Sequence, residues 1–369
     1  MTSGEPAAVT STQRSLGDYN CQDSNKSESC LNSTEQLSTT EPPPNSPLKR
    51  RTISKSVVIE INPKRPKMSV QVQNLSAGHL LEQTDEDIMQ VNVLKSEAEW
   101  NSQAKFDEQV DKQKFRQYEE ACERVKKFYA EQHEKQTVAY NLQARVNFKT
   151  KFRAKMTVWE ALERLNTLID ESDPDTELSQ IEHALQTAEA IRRDGKPRWM
   201  QLTGLIHDLG KLLYFFDAQG QWDVVGDTFP VGCRFDERII YPETFKKNAD
   251  YDHPIYSSEY GIYNEGCGLD AVMLSWGHDE YMYHVAKRQS NLPPEALAMI
   301  RYHSFYPWHR EGAYHNLMND HDKKMLEAVR AFNPYDLYSK SEESVDIAEL
   351  KPYYLELIDE FFPTKVIEF

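Results

Sequence analysis

The residues of this chain best suited to chemistry are a vicinal His207-Asp208 pair, two further histidines, His278 and His303, and, in separate segments again, His183 and Asp336. Their surroundings point to two adjacent metal ions rather than one. The pair lies near the end of Trp-Met-Gln-Leu-Thr-Gly-Leu-Ile-His-Asp-Leu-Gly-Lys, 199–211, where Met200, Leu202, Leu205, Ile206 and Leu209 recur at helical spacing. An imidazole and a carboxylate on neighbouring positions can serve one ion through the ring nitrogen while the carboxylate spans to a second, because a carboxylate has two oxygens with free lone pairs. A lone His-Asp dipeptide proves little, since a buried histidine is commonly a hydrogen-bonded core residue.

The company of the pair strengthens the metal reading. His278 stands in a second His-Asp, after the apolar run Met-Leu-Ser-Trp-Gly, and His303 follows the helical stretch 294–300. Imidazoles converging from separate buried helices with carboxylates form an N/O donor set that suits iron, manganese or zinc. No cysteine adjoins them, which counts against a thiolate-rich structural zinc site.

From about residue 115 to residue 369 the chain resembles the myo-inositol oxygenase family of the HD-domain superfamily. The blocks that carry the resemblance are Asp-Glu-Ser-Asp-Pro-Asp (170–175), His-Ala-Leu-Gln-Thr-Ala-Glu (183–189), Leu-Ile-His-Asp-Leu-Gly-Lys (205–211) and Val-Val-Gly-Asp-Thr-Phe-Pro-Val-Gly-Cys (224–233). Ser-Trp-Gly-His-Asp-Glu-Tyr-Met-Tyr (275–283), His-Ser-Phe-Tyr-Pro-Trp-His (303–309) and Phe-Asn-Pro-Tyr-Asp-Leu-Tyr-Ser-Lys (332–340) complete them, in the family's order.

The resemblance implies an all-α HD-domain helical bundle around a dinuclear site. His183, His207, Asp208 and Asp336 would hold one iron, and Asp208, His278 and His303 the other, with Asp208 as the bridge. It further implies substrate contacts from Lys211, Asp227, Ser304 and Lys340, with Asp170, Glu171, Ser172, Gly226 and Arg116 nearby, and catalytic roles for Lys211 and Asp208. The implied reaction is a four-electron oxidation of myo-inositol by dioxygen on a mixed-valent Fe(II)/Fe(III) pair, opening the ring between C1 and C6 to give D-glucuronate. The iron on His278 and His303 would chelate the substrate and the other would take up dioxygen.

The residues themselves agree in kind. myo-Inositol is a neutral ring of hydroxyls, and lysine, aspartate and serine side chains supply the donors and acceptors it needs. Hydroxyls on a bound cation become more acidic, and a nearby ammonium such as that of Lys211 favours the resulting alkoxide.

Two other readings compete. Many HD-domain proteins are metal-dependent phosphohydrolases, but a phosphoryl substrate asks for Arg and Lys clamps or a Gly-rich anion loop. No such loop occurs, although Lys211 and Lys340 are available to phosphate. A non-catalytic scaffold of the same fold is the other reading, and it must explain why all six ligand positions hold competent residue types.

A length of 369 residues allows two or so domains, yet the motifs between 170 and 340 belong to one site. The expected organisation is a single catalytic domain over 101–369, a monomer, preceded by a disordered extension over 1–100 that carries a basic cluster. Residues 1–47 are rich in Ser, Thr, Gln, Asn, Glu and Pro and cannot bury enough area to offset chain entropy, so disorder is expected there. A basic island over 49–67 (Lys49-Arg50-Arg51, Lys55, Lys64-Arg65-Pro66-Lys67) fits a nuclear-import signal or a docking patch.

The formal charge of -16 argues against nucleic acid as a partner. No segment has the character of a signal peptide or of the roughly 20 apolar residues that span a membrane. Five scattered cysteines, Cys21, Cys30, Cys122, Cys233 and Cys267, suit a reducing compartment, so a cytoplasmic protein is expected and the sequons at Asn25, Asn32 and Asn74 are read as incidental.

The elements that must position these residues read as helices almost throughout. Apolar spacing predicts one or two long helices over 105–146, a helix from the N-cap Thr157 to about 170 with Glu160 completing a capping box, and helices near 177–193 and 197–215. Others are predicted at 268–276, 279–288, 294–303, 321–332 and 351–361. The segment 217–255, rich in Gly, Asp, Pro and aromatics, is the one long non-helical excursion, and Gly226-Asp227 within it is the expected point of substrate contact. His284, His309 and Asp279 are read as structural or as groups behind the ligands, and Phe305-Tyr306-Pro307-Trp308 as wall packing.

Overall fold

The computed structural model describes residues 99–108, 111–112, 116–118, 123–173, 179–340 and 345–369. The basic island over 49–67 and all of the extension expected to be disordered except residues 99 and 100 lie outside these residues; those two are helical, and Trp100 is buried. Helix α1 (Glu123–Lys135) buries Val125, Phe128, Tyr129, Gln132 and His133, one face at helical spacing. Thr137 then caps α2 (Val138–Thr150) by accepting from the Tyr140 amide. The long helical stretch expected over 105–146 is thus two helices, and none of its described residues before 119 is in an α-helix.

Strand β1 (Lys155–Thr157) pairs antiparallel with β2 (Val366–Glu368), joining the end of the chain to the start of α3. Thr157 and Glu160 form the expected capping box at the head of α3 (Val158–Leu165), which is shorter than predicted. Helices α4 (Gln180–Arg193) and α5 (Arg198–Ile206) are joined by a tight turn in which Gly195 takes φ 69°, a conformation costly for any side chain. They pack closely because position 204 is glycine: a Cβ there would lie 2.7 Å from Ile191 Cδ1 and 3.1 Å from Ala188 Cα.

The predicted helix over 197–215 breaks at the His-Asp pair. His207 ends α5, and after Asp208 the chain tightens into a 3-10 helix, Leu209–Phe215. The excursion after it holds no α-helix, only 3-10 and other turns, bends and an isolated bridge between Pro230 and Leu274, and runs on to residue 277, further than the 255 expected. It is held by a core of its own, in which Phe229, Val231, Phe245, Leu269 and Leu274 pack against Phe305 and Trp308.

The helix predicted over 268–276 is absent apart from the single turn Leu269–Ala271. Its backbone groups find partners across the chain rather than along it. Met273 O accepts from the Val231 amide, the Ser275 amide donates to Phe229 O, and the Trp276 amide donates to Asn141 Oδ1 at 2.7 Å.

Helices α6 (His278–Gln289), α7 (Pro294–Tyr302), the short α8 (Tyr306–His309), α9 (Asp320–Tyr338) and α10 (Ile347–Phe361) follow. Helix α9 passes through Pro334 and so outruns its predicted end. Contacts of α4 with α5 and α9, of α5 with α7, and of α7 with α6 and α9 make an all-α bundle. No helix among the described residues is long and apolar enough to cross a membrane.

Candidate metal centre

Six side chains meet at the middle of this bundle. His183 comes from α4, His207 from the end of α5 with Asp208 next to it, His278 from the first position of α6, His303 from the end of α7 and Asp336 from α9. All six are buried.

Asp208 divides the cluster. Its Oδ1 lies 3.4 Å from His278 Nε2 and 3.5 Å from His303 Nε2, while its Oδ2 lies 3.6 Å from His183 Nε2 and 3.5 Å from His207 Nε2. Asp336 Oδ1 joins the second group, 3.2 Å from each of His183 Nε2 and His207 Nε2. Two triads that could each hold a metal ion result, His183-His207-Asp208 and Asp208-His278-His303.

The ring orientations are set from behind. His207, His278 and His303 each place Nδ1 2.8–2.9 Å from a backbone carbonyl, those of Gly204, Val224 and Ile300. A carbonyl only accepts, so Nδ1 carries the proton and the lone pair of the neutral ring is left on Nε2, aimed at the cluster. The Nε2 of His207 is buried against Asp336 Oδ1 at 3.2 Å, and those of His278 and His303 face each other at 3.1 Å. Opposed lone pairs at that separation call for positive charge between them, and the all-N/O donor set fits iron, manganese or zinc.

The electrostatics agree. Burial alone would raise the Asp208 carboxyl, but Lys211 and His207 outweigh it and hold the group well below the usual carboxylate range. Asp336 is held low too: burial opposes ionisation and the His183 and His207 rings beside it overcome that. Burial lowers the His183 and His278 imidazoles. At His303 burial opposes the charged ring and Asp208 outweighs it, pushing the ring up to about 9, so this position favours positive charge.

A cavity of about 450 Å³ opens beside this cluster, of a size suited to a small molecule. Lys211 Nζ sits on its wall, 2.8 Å from both Asp208 Oδ2 and Asp170 Oδ2. Asp170 in turn accepts from the Ser172 amide and hydroxyl. Arg116 forks onto Asp227, with Nη2 to Oδ2 at 2.8 Å and Nη1 to Oδ1 at 3.3 Å, and its guanidinium lies 3.4 Å from the Tyr306 ring centre.

Gly226 presents Asp227 through a φ of 90°, with Phe128 and Gln132 where a Cβ would go. Gln132 Nε2 donates to the carbonyls of Val225 and Asp227 and fixes that turn. Ser304 Oγ is 3.2 Å from His278 Nε2, and Lys340 pairs with Asp173 at 2.8 Å on the cavity wall.

Of the residues singled out in the sequence, Glu171 alone does not reach the cavity wall or the cluster: its side chain is exposed, and its amide donates to Gln221. Of the expected wall cluster 305–308, Tyr306 lines the cavity, while Phe305 and Trp308 belong to the second core. Tyr118 and Tyr129, which the sequence does not mark as site groups, also face the cavity, and the Tyr129 hydroxyl donates to Asp227 Oδ1 at 3.3 Å. In the sequence Tyr129 is one of several apolar-spaced helix residues, and nothing in the spacing marks its hydroxyl. His309 donates through Nε2 to His303 O, His284 stacks on Phe148, and Asp279 accepts from the Thr228 hydroxyl at 2.6 Å, all supporting roles.

Comparison with known proteins agrees with this geometry. The family described as Myo-inositol oxygenase matches residues 122–369. Inositol oxygenase 1 of Arabidopsis thaliana is 53% identical over 259 residues, spanning 68% of this chain and 83% of that protein. Inositol oxygenase of Dictyostelium discoideum is 51% identical over 69% of this chain and 89% of its own, and that of Danio rerio 45% identical over 69% and 92%. With its helical bundle, its buried His/Asp cluster and a match over most of its length, this chain belongs to the myo-inositol oxygenase family of enzymes.

Proposed function

We propose that the catalytic domain, 101–369, oxidises myo-inositol with dioxygen on two irons, cleaving the C1–C6 bond to give D-glucuronate. One carbon–carbon bond breaks and dioxygen accepts four electrons; one of its oxygen atoms enters the product and the other leaves as water. The observation that carries this reading is Asp208, whose two oxygens each face a separate pair of imidazoles. His183, His207, Asp208 and Asp336 would hold one iron and Asp208, His278 and His303 the other. A mixed-valent pair there would supply dioxygen activation and would acidify hydroxyls of a chelated substrate.

The protein's own groups account for binding and proton control. Asp227, Asp170, Ser172, Ser304 and Lys340 offer donors and acceptors to a ring of hydroxyls, and the Gly226 turn lets backbone approach it. Lys211 is already ionised between two carboxylates, its charge held by burial-resistant pairing with Asp170 and Asp208. It stabilises negative charge developing on a substrate hydroxyl and need not act as a base. Arg116, stacked on Tyr306 and paired with Asp227, holds that carboxylate on the cavity wall. Glu171, exposed as it is, has no part in this arrangement.

Oxygen uptake by the iron-loaded protein tests the proposal. Consumption of dioxygen with myo-inositol, matched mole for mole by glucuronate, is the expected result; phosphate release from phosphate esters without inositol-dependent oxygen uptake would replace this reading with the phosphohydrolase one.

A further inference from the structure

Glu280 stands two residues after His278 on α6, and Arg301 two residues before His303 on α7. Arg301 Nε donates to Glu280 Oε2 at 2.8 Å and Nη2 to Oε1 at 3.4 Å, between side chains only 6% and 4% exposed. Arg145 of α2 adds a contact to the same carboxylate at 3.4 Å and donates to Leu274 O at 2.8 Å. Arg301 Nη1 is anchored by Asp270 at 2.5 Å and the Tyr302 hydroxyl at 3.0 Å.

A buried ion pair is a poor source of net stability, because desolvation offsets most of the attraction. Its distinguishing property is direction: a planar guanidinium gripping a carboxylate with two nitrogens admits one register of the elements it joins. Here those elements are the two helices that deliver His278 and His303, and the pair sits about half a turn from each ring. The other half of the centre is fixed differently, with α4 and α5 brought together by the close approach at Gly204.

We propose that Glu280 and Arg301 are positioning residues for the His278/His303 half of the metal centre, locking α6 against α7 so that the two Nε2 atoms converge on one ion. This inference rests on the two-ion reading above. Disturbing the lock lowers affinity at that half and leaves the His183/His207/Asp336 half as it was.

The test is an anaerobic titration of the metal-free full-length protein with Fe(II), comparing wild type with Glu280→Gln, Arg301→Lys and the control Asp270→Asn, which removes an exposed partner. Circular dichroism and a urea midpoint establish that each variant is folded; should Glu280→Gln not fold, Arg301→Lys, which keeps charge and bulk, carries the same comparison. Wild type and Asp270→Asn are expected to take up two equivalents. The two lock variants are expected to bind the first equivalent normally and the second about 10-fold to 100-fold more weakly, the usual cost of disturbing groups behind metal ligands. Wild-type affinity for both equivalents in a folded lock variant, or equal weakening of both, overturns the inference. A wild type that binds fewer than two equivalents instead overturns the two-ion reading itself.

Discussion

Position 210 and His278 are in such close approach that a Cβ on Gly210 would lie 1.9 Å from the His278 carbonyl oxygen and 3.0 Å from its Cα. The glycine lets the turn carrying Asp208 and Lys211 press directly on the start of α6. That contact places Asp208 within reach of His278, so the spacing of the two metal triads depends on an absent side chain.

Gly210→Ala must therefore push α6 away from the His-Asp turn. The backbone obstacle cannot rotate aside, so we expect a loss of about 2 kcal/mol or more in urea unfolding together with reduced iron uptake. An unchanged midpoint and full iron content would show that the contact is dispensable.

Lys211→Met should separate binding of metal from turnover. The methionine fills the space, and iron would hold Asp208 in place of the ammonium, so iron content is expected to stay near wild type. Turnover with myo-inositol should fall by about 100-fold, the scale of losing one group that stabilises developing charge. Normal turnover in an iron-replete variant would remove Lys211 from the reaction.

The pH dependence of stability follows from histidines outside the ligand set. Burial pushes His309 and His133 down to about 3 from the ordinary 6.5. Above 6.5 neither group binds a proton in either state. As pH falls below it, the unfolded chain takes up protons that the folded protein refuses, so stability drops by up to about 1.4 kcal/mol per pH unit for each group, until about pH 3. His309→Gln keeps a donor for His303 O and removes one such group. Between pH about 7 and about 5 its unfolding free energy should fall by about 2 kcal/mol less than that of wild type; equal losses would mean that His309 already titrates normally in the fold.

What was legible in the sequence was whatever local chemistry encodes. Thr157 and Glu160 announced a capping box that forms as written, and the His-Asp pair after an apolar helical run marked the centre. His183 and Asp336 are named as ligands only by the resemblance, because nothing in their own helices distinguishes them from other buried polar residues. Where tertiary partners override local preference the reading failed. Residues 273–276 look helical, yet their backbone is claimed by Val231, Phe229 and Asn141. Tyr129 hides as a core residue until Asp227 arrives from the far side of the cavity. The Glu280–Arg301 pair was equally invisible, since its meaning lies in the packing of two helices and not in either one.

In the proposed centre one carboxylate, Asp208, serves two metals. The most direct measurement is the iron count and magnetic coupling, by Mössbauer spectroscopy, of wild type and Asp208→Ala reconstituted without oxygen. We predict two exchange-coupled irons per chain in the wild type and loss of the coupled pair in the variant. A single iron in the wild type, or a coupled pair that survives in Asp208→Ala, would contradict the bridge and with it the proposed chemistry.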